Sequence, residues 1–376
     1  MRNLLNVLLV VAVGAAVIVL SAITEPRTSV AETKPVSLDE RVAEIRTTLG
    51  ELAASGEVCG SVLIAHEGVP IFQAAYGMAD RALEIPNRVD TKFNLGSMDK
   101  MFTSVAIMQL AEQGSLSLDG KIEDYLLDYP DRAVAEAVTV RQLLGHTGGL
   151  GSYFDSPGYL EAHREIRSLD DYFVLFADEP LGFEPGSQFG YSNSGYIVLG
   201  LIIEAVSSQT YFDYVRDHIF VPSGMTDTAC FELDAGTPNL AVGYTTRDEE
   251  GNETDEIRDN FESLPMRGGS AGGGYSTAPD LLAFANALMG NRLLSPESTG
   301  LLTTKKVDLA EDVGYGYGFF DRIVNGYRAI GHSGGFPGIC CMFNIFPELD
   351  YTIIILSNSD WGCVAASTPI NEILLK

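Results

Sequence analysis

The sequence predicts a mixed α/β fold of the α+β kind, with one antiparallel sheet built from both chain ends and flanked by helices. Strand-like runs lie near the N-terminus and again in the C-terminal part, whereas helical spacing dominates the middle. We therefore expect the middle to form an inserted, mostly helical lobe. With 46% hydrophobic residues in 376, a large core is available. The active site is expected in the cleft between sheet and lobe.

The N-terminal part of this domain predicts one helix and one hairpin. Ser37 and Glu40 have the spacing of a capping box and open the helix. The apolar runs 61–66 and 71–76 are separated by a Glu-Gly pair, which is typical of a hairpin turn. These two runs are the N-terminal contribution to the sheet.

The rest of the chain divides into helical segments, loops and a final set of strands. The spacing of apolar residues predicts helices over 101–111, 169–177, 196–206, 211–220 and 279–289. Residues 118–127 predict a loop leading to a short helix, 138–150 end in a tight turn, and the charge-rich 247–262 predict a solvated loop. Strands follow at 318–324, 327–331, 339–346 and 351–357, before a closing helix.

Charge and composition exclude several classes of partner. The formal net charge is −27, which argues against binding to nucleic acid or to an anionic membrane surface. The five histidines are scattered and no zinc-ligand spacing is present, so we expect no metal and no cofactor. The expected partner is a small-molecule or peptide substrate, and the expected state is a monomer.

The first 31 residues predict a targeting segment. Arg2 precedes an almost unbroken apolar run over 4–20, and Ser29-Val30-Ala31 is a small-x-small cleavage site. We expect a secretory signal peptide over 1–31, with an uncleaved membrane anchor as the alternative. The protein is then exported to the periplasm or outside the cell, and the folded domain spans 37–376.

The cysteines do not predict a disulfide framework. There are five, an odd number, and their spacing is sparse. Cys340 and Cys341 are adjacent in a strand-like run, so their side chains should face opposite sides of the sheet. We expect buried, reduced thiols and no structural disulfide.

Residues 96–111 are the segment around which the chain is organised. From Met101 onward the helix is apolar on nearly every face, which predicts burial on all sides. Ser97 and Lys100 lie three residues apart at its start and would be neighbours on its surface. A serine needs an adjacent base to act as a nucleophile, and a desolvated lysine can serve. The alternative is an ordinary helix start with a lysine extending to solvent.

Two further segments carry candidate site residues. Tyr191 and Asn193 stand two apart just before a predicted helix, where a phenol can transfer a proton and an amide can orient a neighbour. The segment 331–338 is rich in glycine, which lets backbone N–H groups approach a ligand closely. Each pattern alone is also typical of ordinary core and turn structure.

Together these segments resemble the serine β-lactamase and penicillin-binding-protein family, especially its class C β-lactamase, D-alanyl-D-alanine carboxypeptidase and esterase branch. Ser97-Met-Asp-Lys100 is similar to the Ser-x-x-Lys motif, and Tyr191-Ser-Asn193 to Tyr-x-Asn. His332-Ser-Gly334 is similar to the third motif, which is Lys-Thr-Gly in class C enzymes and His-x-Gly in many relatives. Further similar segments are 143–150, 222–225 and 272–280.

The resemblance implies acyl transfer through a covalent acyl-enzyme. Ser97 would attack a carbonyl carbon, Lys100 would take or relay its proton, and Tyr191 would protonate the leaving group and later help to activate water. The backbone N–H groups of Ser97 and Gly335 would form the oxyanion hole. Which of Lys100 and Tyr191 is the primary base stays open.

The resemblance also implies which residues hold the substrate. These are Asn193, Ser333 and Gly334, together with His332, which would face the substrate in place of a fixed cation. This replacement favours an esterase or a D-amino-acid peptidase over a true β-lactamase. The alternative for His332 is a structural hydrogen-bonding role in the strand.

Two rival interpretations remain. Ser270 and Ser333 both lie in Gly-x-Ser-x-Gly, the pattern of a nucleophile elbow, although neither has the expected strand-turn-helix context. The other is a non-catalytic penicillin-binding or sensor protein that retains the fold. A covalent serine probe distinguishes such a protein from an enzyme.

Overall fold

The computed structural model describes residues 36–248 and 251–376, so the predicted signal peptide at 1–31 lies outside the described residues. The strands are β1 (Gly60–His66), β2 (Val69–Tyr76), β3 (Met78–Asp80), β4 (Ile85–Pro86), β5 (Phe93–Asn94), β6 (Tyr244–Arg247), β7 (Glu253–Asp259), β8 (Tyr275–Ser276), β9 (Val307–Ala310), β10 (Val313–Tyr315), β11 (Phe320–Val324), β12 (Tyr327–Phe336), β13 (Ile339–Phe346) and β14 (Tyr351–Ser357).

The α-helices are α1 (Leu38–Ala54), α2 (Asp99–Glu112), α3 (Ile122–Tyr125), α4 (Arg132–Ala137), α5 (Val140–Leu144), α6 (Tyr159–Ala162), α7 (Leu169–Phe173), α8 (Asn193–Ser207), α9 (Tyr211–Val215), α10 (Val221–Ser223), α11 (Ala278–Met289), α12 (Pro296–Thr303) and α13 (Gly362–Leu374). Most lie between the two sets of sheet strands, which confirms the inserted helical lobe. Among the described residues, no helix is both long and apolar enough to cross a bilayer.

The main sheet has eight antiparallel strands in the order β2-β1-β14-β13-β12-β11-β10-β9. Its N-terminal and C-terminal strands meet where β1 pairs with β14, from Gly60 opposite Ser357 to His66 opposite Tyr351. This pairing confirms that one sheet is built from both ends of the chain. The predicted hairpin of β1 and β2 and the capping box of Ser37 and Glu40 are also present.

Two separate cores cover the two faces of this sheet. Alternate residues of the central strands, such as Leu63 and Ile354, join the core beneath the lobe, while Ile64 and Ile353 pack with α1 and α13 on the other face. Both faces are therefore apolar, which is why these strands read as nearly continuous hydrophobic runs. Full burial of each such side chain contributes about 1.5–3 kcal/mol.

Three expectations about local structure need correction. The charged segment expected to be a solvated loop contains β7, which pairs with β6 as an exposed hairpin. It has no apolar face, so sequence alternation gave no strand signal. The helix expected over 169–177 ends at Phe173, and β12 continues beyond Gly331 to Phe336. Glycine in that strand lowered its apparent β-propensity.

The structure contradicts the expectation that no disulfide forms. Cys340 of β13 is bonded to Cys363 at the start of α13, 23 residues later. The two cysteines become neighbours only because α13 packs on the sheet, so their spacing carried no signal. Cys341 does face the opposite side, as expected, where its buried thiol donates to the carbonyl of Asn94 at 3.3 Å.

Candidate active site

The candidate nucleophile lies in a tight turn that leads into a buried helix. Residues Gly96–Met98 form a single 3-10 turn, and α2 begins directly after it at Asp99. Met98 and Lys100 are buried, whereas Ser97 remains partly exposed. The apolar helix therefore fixes the turn in the core and leaves the hydroxyl of Ser97 accessible at its end.

Lys100 is fully buried beside Ser97. Its Nζ donates to the carbonyl of Ala271 at 2.5 Å and to Oδ1 of Asn193 at 2.8 Å, and it lies 3.3 Å from Oγ of Ser97. Burial lowers the pKa of Lys100 to about 7, against the opposing effect of the Asp99 carboxylate. The amine can therefore be neutral near neutral pH and within reach of the serine proton.

Asp99 is a second buried ionisable group at this turn and was not among the predicted site residues. Its carboxylate accepts the backbone N–H of Gly274 at 2.5 Å. Burial raises the pKa of Asp99 to about 7, and the hydrogen bond to Gly274 and the charge of Lys100 act in the opposite direction. The available signal was a carboxylate inside an otherwise apolar helix.

Tyr191 and Asn193 lie on the other side of Lys100, at the N-terminus of α8. The Tyr191 ring centroid is 4.8 Å from Nζ of Lys100, and its phenol interacts with the Ser97 hydroxyl. Burial raises the pKa of Tyr191, whereas the hydrogen bond to Ser97 lowers it. The amide of Asn193 makes two hydrogen bonds. Its Oδ1 accepts from Lys100, and its Nδ2 donates to Oγ of Ser152 at 3.0 Å. Ser152 was not foreseen, since it is 41 residues away in sequence.

Strand β12 passes the nucleophile turn at very close range. A Cβ added to Gly334 would lie 1.8 Å from the carbonyl oxygen of Leu95 and 3.2 Å from the nitrogen of Ser97. A Cβ added to Gly96 would lie 2.9 Å from the nitrogen of Gly335. Only glycine permits this approach. The segments that carry the backbone N–H groups of Ser97 and Gly335, the expected oxyanion hole, therefore lie directly against one another.

His332 is buried, whereas a side chain that faces the substrate was expected to be exposed to the cleft. Its side chain is buried, Nε2 lies 3.1 Å from the hydroxyl of Tyr315, and Nδ1 lies 2.6 Å from the carbonyl of Ser333. Burial and the nearby charge of Lys100 lower the pKa of His332 to about 3. These contacts support the structural alternative, because a neutral ring with both nitrogens engaged offers no cation to a carboxylate.

Neither of the nucleophile-elbow serines stands in the right structural context. Ser270 is fully buried and its hydroxyl donates to the carbonyl of Tyr196 at 2.8 Å. Ser333 lies within β12 rather than at a strand-to-helix turn, although it is partly exposed near Gly334. The described residues also contain no cluster of histidine, cysteine and carboxylate side chains that could hold a metal ion.

Comparison with known proteins agrees with this geometry. A family model described as Beta-lactamase matches residues 45–366. A penicillin-binding protein of Bacillus subtilis is 29% identical over 84% of this chain and 71% of its own length. The crystal structure of a penicillin-binding protein from Bacillus halodurans has a TM-score of 0.78 and 34% identity, covering 86% of this chain and 98% of that one.

A D-stereospecific amidohydrolase from a Streptomyces species is also similar, with a TM-score of 0.72 and 26% identity over 88% of this chain and 97% of that chain. The family match extends over most of the sequence, from α1 to α13, and includes Ser97, Tyr191 and His332. The chain therefore belongs to the Beta-lactamase family, in which serine hydrolases and penicillin-binding proteins react through a covalent acyl-enzyme.

Proposed function

We propose that this protein is an exported serine hydrolase of the class C-like branch that cleaves amides or esters of D-amino acids through an acyl-enzyme on Ser97. The observation that carries the proposal is the pairing of an accessible hydroxyl with a desolvated amine, since Ser97 Oγ lies 3.3 Å from Lys100 Nζ. The Tyr191-x-Asn193 arrangement around this pair supports the class C-like assignment.

The geometry supports a division of roles between the two candidate bases. Lys100, with its pKa lowered to about 7, accepts the proton of Ser97 as Oγ bonds to the carbonyl carbon. Burial raises the pKa of Tyr191, so its phenol stays protonated and donates to the departing nitrogen or oxygen. The backbone N–H groups of Ser97 and Gly335 stabilise the oxyanion. In deacylation the Tyr191 phenolate takes a proton from the attacking water, and Lys100 returns its proton to Oγ of Ser97 as the acyl group leaves, which regenerates the enzyme.

The substrate assignment rests on two observations. The similar amidohydrolase from Streptomyces is D-stereospecific by name. In this chain the third motif supplies a neutral, buried His332 in place of a lysine, so it adds no fixed charge for the carboxylate of a β-lactam. Both observations favour neutral amides and esters over penicillins and cephalosporins. Asn193 and Ser333 remain the proposed substrate-holding side chains.

A hydrolysis panel on residues 32–376 tests the proposal. It contains the D- and L-enantiomers of one aromatic amino-acid p-nitroanilide, a short-chain p-nitrophenyl ester, a D-Ala-D-Ala peptide and a cephalosporin. We expect the D-anilide to exceed the L-anilide in kcat/KM by at least about tenfold, or about 1.4 kcal/mol. A higher kcat/KM for the cephalosporin would instead indicate a β-lactamase.

Labelling separates an enzyme from a non-catalytic binding protein. A fluorescent penicillin or a fluorophosphonate should attach to Ser97, and peptide mapping identifies the labelled residue. Ser115→Ala is a suitable control, because Ser115 is exposed beyond the C-terminal end of the same helix. Stable labelling of Ser97 without turnover of any panel member would support a penicillin-binding sensor and contradict the proposed hydrolase.

Export is supported by the Cys340–Cys363 disulfide, since disulfides persist in oxidising compartments. The signal peptide itself lies outside the described residues. N-terminal sequencing of protein secreted by a bacterial host tests the cleavage after Ala31, and retention of the apolar segment would indicate the anchor. The monomeric state and the domain limits of 37–376 stay predictions, and light scattering measures the former.

A further inference from the structure

One buried histidine, His146, contacts three consecutive residues, 190–192, in the segment that leads into α8. The backbone carbonyl of His146 accepts the N–H of Gly190 at 2.8 Å. Its ring packs against the Tyr191 ring in a tilted arrangement, with centroids 4.2 Å apart and an interplanar angle of 39°. Its Nδ1 accepts the backbone N–H of Ser192 at 3.1 Å. His146 therefore contacts the residue before Tyr191, Tyr191 itself and the residue after it.

These contacts define the protonation state of His146. Because Nδ1 accepts a hydrogen bond from a backbone amide, it carries no proton, and the neutral ring has its proton on Nε2. A second proton would have to bind Nδ1, which already accepts the Ser192 amide, and the N–H at Nε2 is buried without a hydrogen-bond partner, so the site does not stabilise the charged ring. Burial, and after it the charge of Lys100, holds the pKa of His146 well below its usual range.

The backbone conformation of His146 is also part of this arrangement. His146 adopts a left-handed conformation with a φ of 57°, which is uncommon for residues other than glycine, although histidine tolerates it better than most. Its ring is enclosed by other aromatic rings, with centroids 5.0 Å from Tyr196 and 4.9 Å from Tyr315. An unfavourable backbone conformation kept in place by packing is typical of functional positions.

We infer that His146 is a positioning residue that holds the Tyr191 phenol against Ser97 and Lys100 by packing against its ring and accepting the adjacent Ser192 amide. This inference rests on the proposed acyl-transfer function. His146 lies behind the Tyr191 ring and acts on the reaction only through that residue. Its loss should therefore impair the step that needs a positioned proton donor and spare the attack by Ser97.

The leaving group of the substrate reports on that step. Expulsion of an anilide requires protonation of the departing nitrogen, whereas p-nitrophenolate leaves without a proton. The experiment compares kcat/KM, which reports acylation, for a p-nitroanilide and a p-nitrophenyl ester of the same acyl group. Tyr191→Phe is the reference variant. It removes the proton donor itself and should therefore lower kcat/KM for the anilide but not for the ester.

Two variants at residue 146 tolerate the left-handed backbone and differ in their hydrogen bonding. His146→Gly removes both the ring and the acceptor, and should lower kcat/KM at least tenfold for the anilide but less than threefold for the ester. His146→Asn retains an oxygen acceptor near the position of Nδ1 and should recover part of the anilide activity. Thermal unfolding of both variants separates this effect from loss of folded protein.

A double variant shows whether the effect passes through Tyr191. In a Tyr191→Phe background, His146→Gly should reduce anilide hydrolysis by less than a further threefold, because the phenol is already absent. Equal losses on anilide and ester, or fully additive losses in the double variant, would overturn the inference. If His146→Gly does not fold, His146→Asn alone carries the test: an anilide-to-ester ratio below that of wild type supports the inference, and an unchanged ratio overturns it.

The same experiment distinguishes failure of this inference from failure of the proposed function. If Ser97→Ala and Tyr191→Phe leave hydrolysis unchanged, the acyl-transfer assignment itself is wrong. If those two variants lose activity while His146→Gly keeps the anilide-to-ester ratio of wild type, only the positioning role is wrong.

Discussion

Two arms of the molecule meet at the nucleophile, and each buries a basic nitrogen. The helix arm, residues 96–100, buries Lys100 against the carbonyl of Ala271 and the amide of Asn193, and its pKa falls to about 7. The strand arm, residues 331–335, buries His332 against Tyr315, and its pKa falls to about 3. Burial brings the lysine into the range where it can act as a base, whereas it keeps the histidine neutral throughout the functional range.

This difference explains what could be inferred from the residues alone. Ser97 and Lys100 lie on one short element, so their spacing defines their geometry once the helix is recognised. The surroundings of His332 come from Tyr315 on another strand, and the sequence gives no measure of that burial. A motif on one element therefore predicts its own chemistry better than a motif whose neighbours come from elsewhere in the chain.

The largest effect is expected in the helix arm. Ser97→Ala should lower kcat at least about 10³-fold, because it removes the attacking oxygen. The fold should survive, with a cost on the order of 1 kcal/mol, since Ser97 is partly exposed. Steady-state kinetics and thermal unfolding measure the two quantities. Substantial activity in Ser97→Ala, or labelling transferred to Ser333, would place the nucleophile in the strand arm instead.

The pH dependence of kcat/KM should also come from the helix arm. Lys100 must be neutral to accept the serine proton, so kcat/KM for a neutral ester should rise with pH through about 7 and then level off. Asp99→Asn is a matched test, because it retains an oxygen for the Gly274 amide but removes the charge that raises the Lys100 pKa. The rise should then move to lower pH. A shift to higher pH would contradict this account of the lysine.

The fold follows the same rule as the site. The β1–β2 hairpin, the capping box at Ser37 and the all-round apolar α2 were predicted correctly, because each is a local pattern. The Cys340–Cys363 bond was missed, since it depends on where α13 packs. The hairpin of β6 and β7 was missed because neither face is apolar. The local sequence patterns carried no information about long-range packing.

The disulfide makes a distinctive prediction for the strand arm. Cys340 pairs across the sheet with Gly335, so the bond to Cys363 anchors the strand next to the candidate oxyanion hole. A closed loop of this length contributes about 3 kcal/mol. Reducing agent should therefore lower the Tm by about 5 °C.

The matched variants separate this bond from the other thiols. A Cys340→Ser, Cys363→Ser double variant should have the lower Tm already and should no longer respond to reductant. Cys230→Ser should respond as wild type does, because Cys230 is a free cysteine. A wild-type Tm that is unchanged by reductant would show that the disulfide is absent or unimportant.

The smallest expected effect is the pH dependence of KM, and it tests the comparison between Lys100 and His332 most directly. If His332 were a partly protonated group facing the substrate, carboxylate-bearing substrates would lose affinity as the pH rises from 6 to 8, while neutral esters would not. With its pKa lowered to about 3 and both nitrogens engaged, His332 is neutral over that whole range. The KM values of a D-Ala-D-Ala peptide and a neutral ester should therefore keep a constant ratio, within about twofold.

His332→Lys would place a charge in the same buried space and should destabilise the fold rather than improve carboxylate substrates. A ratio that changes steadily with pH in wild type, and becomes constant in His332→Lys, would show that the strand arm contributes a titrating cation after all.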